Sequence, residues 1–460
     1  MVEILAYAGR CRQLIDEVAA LSFRGPAAQR IAEDERNFRY AERTVLFYDA
    51  LCRTKSHLDS GHLPEARTAH EEAKALASLL KSDAVSTKLS SSHANAADAL
   101  EASFALPALL RFEEKIRLAI ESQKRDAPFY ADKSRLLIYL DPDGVEHPIR
   151  KAADWEIRRR HILINFQKVT GALPDLSKCI PLDPVVLEEE DLGDVIRKRI
   201  TFNAEPGSPV FAYLLTPKNL AAKAPAALCL HQTTPEGKAE PAGTSQEPRL
   251  AYALELARRG YITIAPDYPG YGEDHGDPYA SGYESATMKG LWNHIRAVDV
   301  LASLPQVDTD RIAAIGHSLG GHNAIFAALF DPRIKAIVTS CGFTSFEKYY
   351  GGDLTGWSHK GYMPKIAAVF GKNPDRMPFD FTELLAALAP RPVFINAPLK
   401  DDNFDVTGVD DCLRAASPVF ELLGAKNSVT VIHPDIGHGF PPELREQAYR
   451  FLDRIFGRLP

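Results

Sequence analysis

Apolar and polar positions alternate in two different ways along the chain. In the first 125 residues the apolar positions recur at helical spacing: Leu5, Leu14, Ile15, Val18 and Leu21, then Phe38, Ala41, Val45, Leu46, Tyr48 and Leu51. Pro26 and Pro64 stand where helices open, and Gly61 interrupts the pattern between them. Ala66, Ala69, Ala73, Ala75, Leu76, Leu79 and Leu80 then mark a helix with a small-residue face, suited to close packing. The polar run at 82–96 reads as a loop, and a last helix covers roughly 96–122. The pattern predicts an all-α N-terminal domain over 1–125, most simply a helical bundle.

Residues 126–200 form a transition segment. Leu136–Leu140 predicts a strand that ends in the turn DPDG, and Trp155–Phe166 predicts a helix carrying Arg158, Arg159, Arg160 and His161. That charge run is expected on a solvated face or at an interdomain contact, with binding a carboxylate as the minority reading. The stretches VVLEEEDLGDVIRKRITFN and AEPGSPVFAYLLTP read as strands joined by a turn. Beyond about 225, continuous apolar runs (AALCL, YITIAP, RIAAIG, IKAIVTS, PVFINA, SVTVIH) alternate with helical stretches. Strands apolar on both faces, separated by crossover helices, predict a mostly parallel sheet with helices on both sides. Residues 201–460 are therefore read as one α/β domain.

Composition narrows the function. The chain has 460 residues, of which 45% are hydrophobic and 25% charged, so a large core needs no metal or disulfide to hold it. Its 61 acids against 54 bases leave a net charge of −7, which argues against a general nucleic-acid partner. No apolar run is long enough for a membrane helix. The opening MVEILAYAGRCRQLIDEV lacks the basic-then-apolar pattern of a secretory leader. The six cysteines form no C-x-x-C pair and read as buried or free thiols in a reducing compartment. The expectation is a cytoplasmic protein without a membrane partner.

Chemistry concentrates at strand ends. Gly316-His317-Ser318-Leu319-Gly320-Gly321 follows the strand RIAAI and precedes the helical HNAIFAALF. A serine on a tight strand-to-helix turn, flanked by glycines, is the setting of a nucleophile elbow. A serine hydroxyl needs a base at neutral pH. His438, in a Gly-His-Gly turn before the last helix, is placed to supply it, whereas His433 ends a strand and reads as scaffold. The acid is expected after PVFINA, where Asp401, Asp402, Asp405, Asp410 and Asp411 are available; Asp401 stands nearest the strand end. An oxyanion hole would combine the backbone N–H of Leu319 with that of Gln232 or Thr233 after AALCL, Thr233 being slightly favoured. His231 is expected to hold that loop.

VDTDRIAAIGHSLGG, ITIAPDYPGYGED and PDIGHGFP, within about 185–456, resemble the α/β-hydrolase superfamily. The resemblance is to its dienelactone-hydrolase-like, acetyl-xylan-esterase-like and prolyl-oligopeptidase-like serine hydrolases. It implies that the first member of the Asp401–Asp402 pair is the acid and that Asp267 is structural. LHQT departs from the commoner histidine–glycine form of the oxyanion strand, and residues 1–125 show no comparable likeness.

Around the site, Lys238 and Glu240 are expected at the surface, with lining a pocket as the other reading. The segment 341–372 carries Phe343, Phe346, Tyr349, Tyr350, Trp357 and Tyr362; packing and a substrate-pocket wall are equally good readings of it. No metal-ligand spacing and no cofactor motif is present. The expected function is a serine hydrolase that cleaves a small carboxylic ester through an acyl-enzyme. An amide or carbon–carbon bond as target, or a non-catalytic scaffold, are the alternatives. The helical domain over 1–125 is expected to cover part of the site or to mediate self-association.

Overall fold

The computed structural model describes residues 127–458 apart from 175–179, 221 and 246–248, together with scattered helical positions between 42 and 79. The chain divides into two compact units, Met1–Arg125 and Asp126–Pro460. In the first unit, Phe47, Ala50, Ala69 and Ala73 are buried, and Arg53 bonds both Asp49 (2.8 Å) and Glu72 (2.9 Å). The other helices expected over 1–125 lie outside the described residues.

In the second unit a small hairpin, β1 (Ile138–Leu140) and β2 (Glu146–Pro148), precedes the long helix α1 (Ala152–Thr170). The main sheet then begins, with β3 (Val185–Asp191), β4 (Val195–Glu205), β5 (Ser208–Pro217) and β6 (Ala224–Leu230). Helix α2 (Tyr252–Arg258) leads to β7 (Ile262–Pro266), α3 (Ala286–Ser303) to β8 (Val307–His317), and α4 (Leu319–Phe330) to β9 (Ile334–Ser340). After α5 (Phe381–Ala387) come β10 (Val393–Asn396), α6 (Val406–Leu422), β11 (Val429–Ile432) and α7 (Pro442–Ile455).

The nine strands lie in the order β11-β10-β9-β8-β6-β7-β5-β4-β3. From β7 to β11 every pairing is parallel, while β3, β4 and β5 form an antiparallel flank. The continuous apolar runs explain the centre: all seven residues of β6 are buried, as are the five of β7. The outermost strand β3 is exposed throughout its length. Its acids pair along β4, Glu188 with Arg199 (2.5 Å), Glu189 with Lys198 (3.0 Å) and Glu190 with Arg197 (2.5 Å). A charged edge of this kind discourages pairing with another chain. No helix among the described residues is long and apolar enough to cross a membrane.

One expectation fails in α1. The charge run is not a plain solvated face: Arg159, Arg160 and His161 are half-buried. Arg158 is fully buried, bonds Glu383 Oε1 at 2.7 Å and lies 3.0 Å over the Tyr130 ring. Arg159 donates to the carbonyls of Leu329 and Ala387, which end α4 and α5 (both 3.1 Å). Cations at helix C-termini satisfy carbonyls that have no intrahelical donor. The run therefore clamps α1 onto the α/β core.

The parallel strands all point their C-terminal ends the same way. His231 follows β6, Ser318 follows β8, Cys341 follows β9, Asp401 lies after β10 and His438 after β11. Five chain exits thus open on one edge of the sheet, the edge at which parallel α/β sheets carry their sites.

Candidate active site

The turn at Ser318 is forced by its neighbours. Ser318 has φ 54° and ψ −117°, a left-handed conformation that L-residues avoid, and its N–H donates to Ser340 O (2.8 Å). A β-carbon on Gly316 would strike the Gly320 carbonyl, and one on Gly320 would strike the Leu230 carbonyl at the end of β6. The glycines thus bring the start of α4 into contact with the chain leaving β6. Leu319 opens α4, so its N–H has no acceptor within the helix. Its side chain is buried against Tyr268 and Ala286.

On the facing loop, His231 is buried and doubly bonded. Its Nδ1 donates to Gln232 O (2.6 Å) and its Nε2 accepts from Tyr268 N–H (3.0 Å). Burial holds its pKa below the ordinary histidine range. Its expected role of holding the loop is what the geometry displays. Gln232 turns its side chain to Glu240 (2.9 and 3.0 Å), and Thr233 Oγ1 meets the Tyr362 hydroxyl (3.2 Å).

His438 and Asp401 meet. Nδ1 of His438 donates to Asp401 Oδ1 (2.9 Å) and Oδ2 (3.1 Å). The acid side chain is 1% exposed and the imidazole 22%, so the ring shields the carboxylate from water. Asp401 Oδ1 also accepts the N–H groups of Asn403 (2.9 Å) and Phe404 (3.0 Å). Burial raises its pKa, but the bond and charge of His438 and the two backbone donors outweigh burial and hold it below the ordinary range. The His438 ring lies 4.9 Å from the ring of His317, the residue before Ser318, and 6.0 Å from Phe404. Burial pushes His317 down to about 3, so it stays neutral beside His438.

The other acids of that loop point elsewhere. Asp402 is exposed. Asp405 caps α6 by accepting Thr407 N–H (2.8 Å), and Asp411 pairs with Arg414 (2.8 Å). Asp410 lies 3.3 Å from His433, whose Nδ1 donates to Ala397 O (2.8 Å). His433 is thus part of the scaffold, as its place on the strand suggests.

Both surface readings of the 234–243 loop are overturned. Lys238 and Glu240 are buried, 3% and 6% exposed. Lys238 pairs with Asp267 (2.5 Å) and Glu273 (2.6 Å), which ties the loop after β6 to the chain leaving β7. It therefore braces the loop from behind instead of lining a pocket. Phe343, Tyr349 and Trp357 are likewise buried, in a cluster of rings that joins Phe381, Phe404 and His322. Packing is the reading the structure favours for these three. Tyr362 is half-exposed, and with Thr233 it stands at the rim beside Leu319.

Three residues escaped the sequence reading. Asn396 Nδ2 donates to Ser340 Oγ (2.8 Å) and to Gly439 O (2.9 Å), so it pins the histidine loop to β9. Ser340 Oγ also meets His317 Nδ1 (3.0 Å). Cys341 sits beside both, with φ 47°. A polar residue closing the apolar strand VFIN was the available signal for Asn396; the other two carry none. Among the described residues, Cys341, Asp401 and His438 bring one potential metal-ligand atom each within 4.8 Å of one another. The imidazole N–H and the carboxylate already satisfy each other there, which suits an acid–base pair better than a vacant ligand set.

Residues 249–458 match the family model described as the prolyl oligopeptidase family. YtaP of Bacillus subtilis strain 168, named as a hydrolase, is 26% identical over 301 residues, 62% of this chain and 96% of that protein. The 4-O-methyl-glucuronoyl methylesterase 1 of Wolfiporia cocos is 26% identical over 232 residues, 45% of this chain and 52% of its own length. The solved glucuronoyl esterase from Solibacter usitatus superposes with a TM-score of 0.58 at 22% identity, covering 71% of this chain and 98% of that one.

Proposed function

We propose that this chain, a member of the α/β-hydrolase superfamily, is a serine carboxylesterase working through Ser318, His438 and Asp401. The observation that carries the reading is the His438–Asp401 bond at 2.9 Å, held beside an elbow whose serine has φ 54°. With Nδ1–H given to Asp401, the other ring nitrogen, Nε2, is left as the basic one. Nε2 takes the Ser318 proton as Oγ attacks the ester carbonyl. The negative oxygen so formed is received by the N–H of Leu319 and by that of Thr233 or Gln232. Nε2 then returns its proton to the leaving alcohol. In the second half it takes a proton from the water that attacks the acyl carbonyl, and passes that proton to Ser318 Oγ as the bond to the acyl group breaks and the acid leaves. Protons balance over the cycle, and no cofactor enters it.

An ester is the first reading because two of the similar proteins are 4-O-methyl-glucuronoyl methylesterases, while the matched family, named for an oligopeptidase, keeps an amide as the alternative to test. The rim suits a polar ester, since the hydroxyls of Thr233 and Tyr362 face each other there at 3.2 Å. A methyl ester of a uronic acid is the first substrate to try, beside p-nitrophenyl esters of rising chain length and an aminoacyl anilide. Ser318→Ala is expected to lower ester turnover on the order of a million-fold, because the triad acts as a unit, with the melting temperature unchanged. Near-normal turnover in that variant, or an anilide cleaved faster than every ester, would overturn the proposal.

A further inference from the structure

The loop after β6 and the segment after β9 are joined by a hydrogen bond between two hydroxyls, Thr233 Oγ1 and that of Tyr362, 3.2 Å apart. Each hydroxyl carries one proton, and the bond between them uses one of the two. A phenol is the stronger donor and an aliphatic hydroxyl the better acceptor, so Tyr362 donates and Thr233 keeps its own proton for another partner. A substrate can reach it, because Thr233 is exposed and Tyr362 half-exposed. Tyr362 is held firmly from behind. The carbonyls of Lys360, Gly361 and Tyr362 accept in turn from the Tyr279 hydroxyl (2.6 Å), the Tyr268 hydroxyl (3.0 Å) and the Thr287 N–H (3.3 Å). Its ring packs against the cluster of Tyr268, Ala286 and Leu319, with the His359 ring edge-on at 4.5 Å. Leu319 supplies one N–H to the carbonyl oxygen in the reading above, and Thr233 or its neighbour Gln232 the other. The leaving alcohol has to face His438 Nε2, so the part of the substrate left beside Thr233 is the acyl group.

We propose that Thr233, aimed by Tyr362, is a specificity-determining residue whose hydroxyl donates to an oxygen on the carbon next to the ester carbonyl. The substrate class is an ester of a 2-oxygenated acid, with a hydroxyl or a ring ether at that carbon, as in sugar acids. The inference rests on the triad reading above. A free donor selects an acceptor: an oxygen at that position satisfies it and a methylene does not. The bond that Thr233 accepts from Tyr362 strengthens the one it donates. The hydroxyl is open to water, so a substrate without the oxygen leaves it hydrated and not stranded. Discrimination is therefore the worth of one neutral hydrogen bond, not the large factor of a buried site.

p-Nitrophenyl methoxyacetate and p-nitrophenyl butyrate test this, since they differ only by an oxygen in place of a methylene. Their intrinsic reactivities differ, but that difference, and any loss common to both esters, cancels when the ratio of their kcat/KM values is compared between enzymes. Thr233→Val keeps the branched shape and the backbone N–H while removing the hydroxyl. It is expected to lower the methoxyacetate-to-butyrate ratio about fivefold below wild type. Tyr362→Phe removes the bond that aims the hydroxyl and is expected to lower the ratio too. Thr233→Ser keeps the hydroxyl and is expected to hold the ratio within about twofold of wild type. An unchanged ratio in Thr233→Val or in Tyr362→Phe, or a fall in Thr233→Ser equal to that in Thr233→Val, would overturn the proposal. Equal losses on both esters in Thr233→Val would place the hydroxyl on the carbonyl oxygen and overturn it as well. Ser318→Ala is assayed with the same two esters. If it turns them over, the triad reading fails and the acyl contact with it. If it is inactive on both while Thr233→Val keeps the wild-type ratio, the acyl contact alone fails.

Discussion

Asp401→Asn changes one atom in a group whose every contact is known, which makes its effect calculable. Asparagine keeps an oxygen for the N–H groups of Asn403 and Phe404, at 2.9 and 3.0 Å, so the loop geometry survives. The amide offers only one acceptor oxygen, and the two backbone donors hold it. The NH₂ then faces His438 Nδ1 and must meet a lone pair there. The ring is driven into the tautomer with its proton on Nε2, which now donates toward Ser318 when it has to accept. In a serine-protease triad this defect costs roughly ten-thousand-fold in kcat, equal to about 5.4 kcal/mol of barrier. The carboxylate's stabilising share is also lost. Its folded pKa lies below the ordinary value, so that share is present above the ordinary carboxylate range and vanishes as pH falls through the folded pKa. At pH 8 the variant is therefore slightly less stable than wild type, and the gap closes in strong acid. Initial rates on p-nitrophenyl acetate and thermal melts read both effects. Asp402→Asn is the control, because Asp402 is exposed. A loss under about a hundredfold in Asp401→Asn, or an equal loss in Asp402→Asn, would refute the reasoning.

Gly320→Ala forces a methyl into the Leu230 carbonyl, so α4 and the oxyanion loop must separate. Turnover should fall at least about a hundredfold, the cost of one misplaced oxyanion donor, and a variant of normal kcat would contradict that placement. Arg158→Met leaves Glu383 buried without its partner and should cost about 3–5 kcal/mol in urea unfolding at pH 8. Burial pushes Glu383 up to about 7, with Arg158 opposing the shift. The carboxyl therefore takes up a proton on folding, and the cost should shrink as pH falls through 7 toward 5. An equal cost at pH 8 and pH 5 would show that Glu383 stays charged. Lys238→Met should lower kcat as well as stability, since Lys238 anchors the oxyanion loop to Asp267 at 2.5 Å; a purely thermal defect would contradict that coupling.

The parts of the site written in local pattern were legible in the sequence. GHSLGG announces its own backbone: glycines stand there because α4 meets β6, and the half-buried serine sits at the tight turn between them. Asp401 and His438 follow from counting strands, since each leaves the sheet on the same edge. What was not legible depends on partners distant in the chain. Arg158 looks like a surface charge until Glu383, 225 positions away, closes over it. Lys238 reads as polar surface until Asp267, 29 positions on, draws it inward. The aromatic segment has the same composition whether it lines a pocket or packs a core; only the contact of Trp357 with Phe381 and His322 decides it. Cys341 carries no motif, and its place beside Asp401 comes from the convergence of β9 with the loop after β10.

Everything proposed for the site depends on Ser318 being an activated nucleophile. Reacting the folded protein with a fluorophosphonate and mapping the adduct by peptide mass spectrometry tests it most directly. One stoichiometric adduct is expected, on Ser318, formed in parallel with loss of esterase activity and absent after heat unfolding. Labelling is expected to slow by orders of magnitude in Asp401→Asn. A folded protein that takes no label on Ser318, or one that is labelled as fast without Asp401, would contradict it.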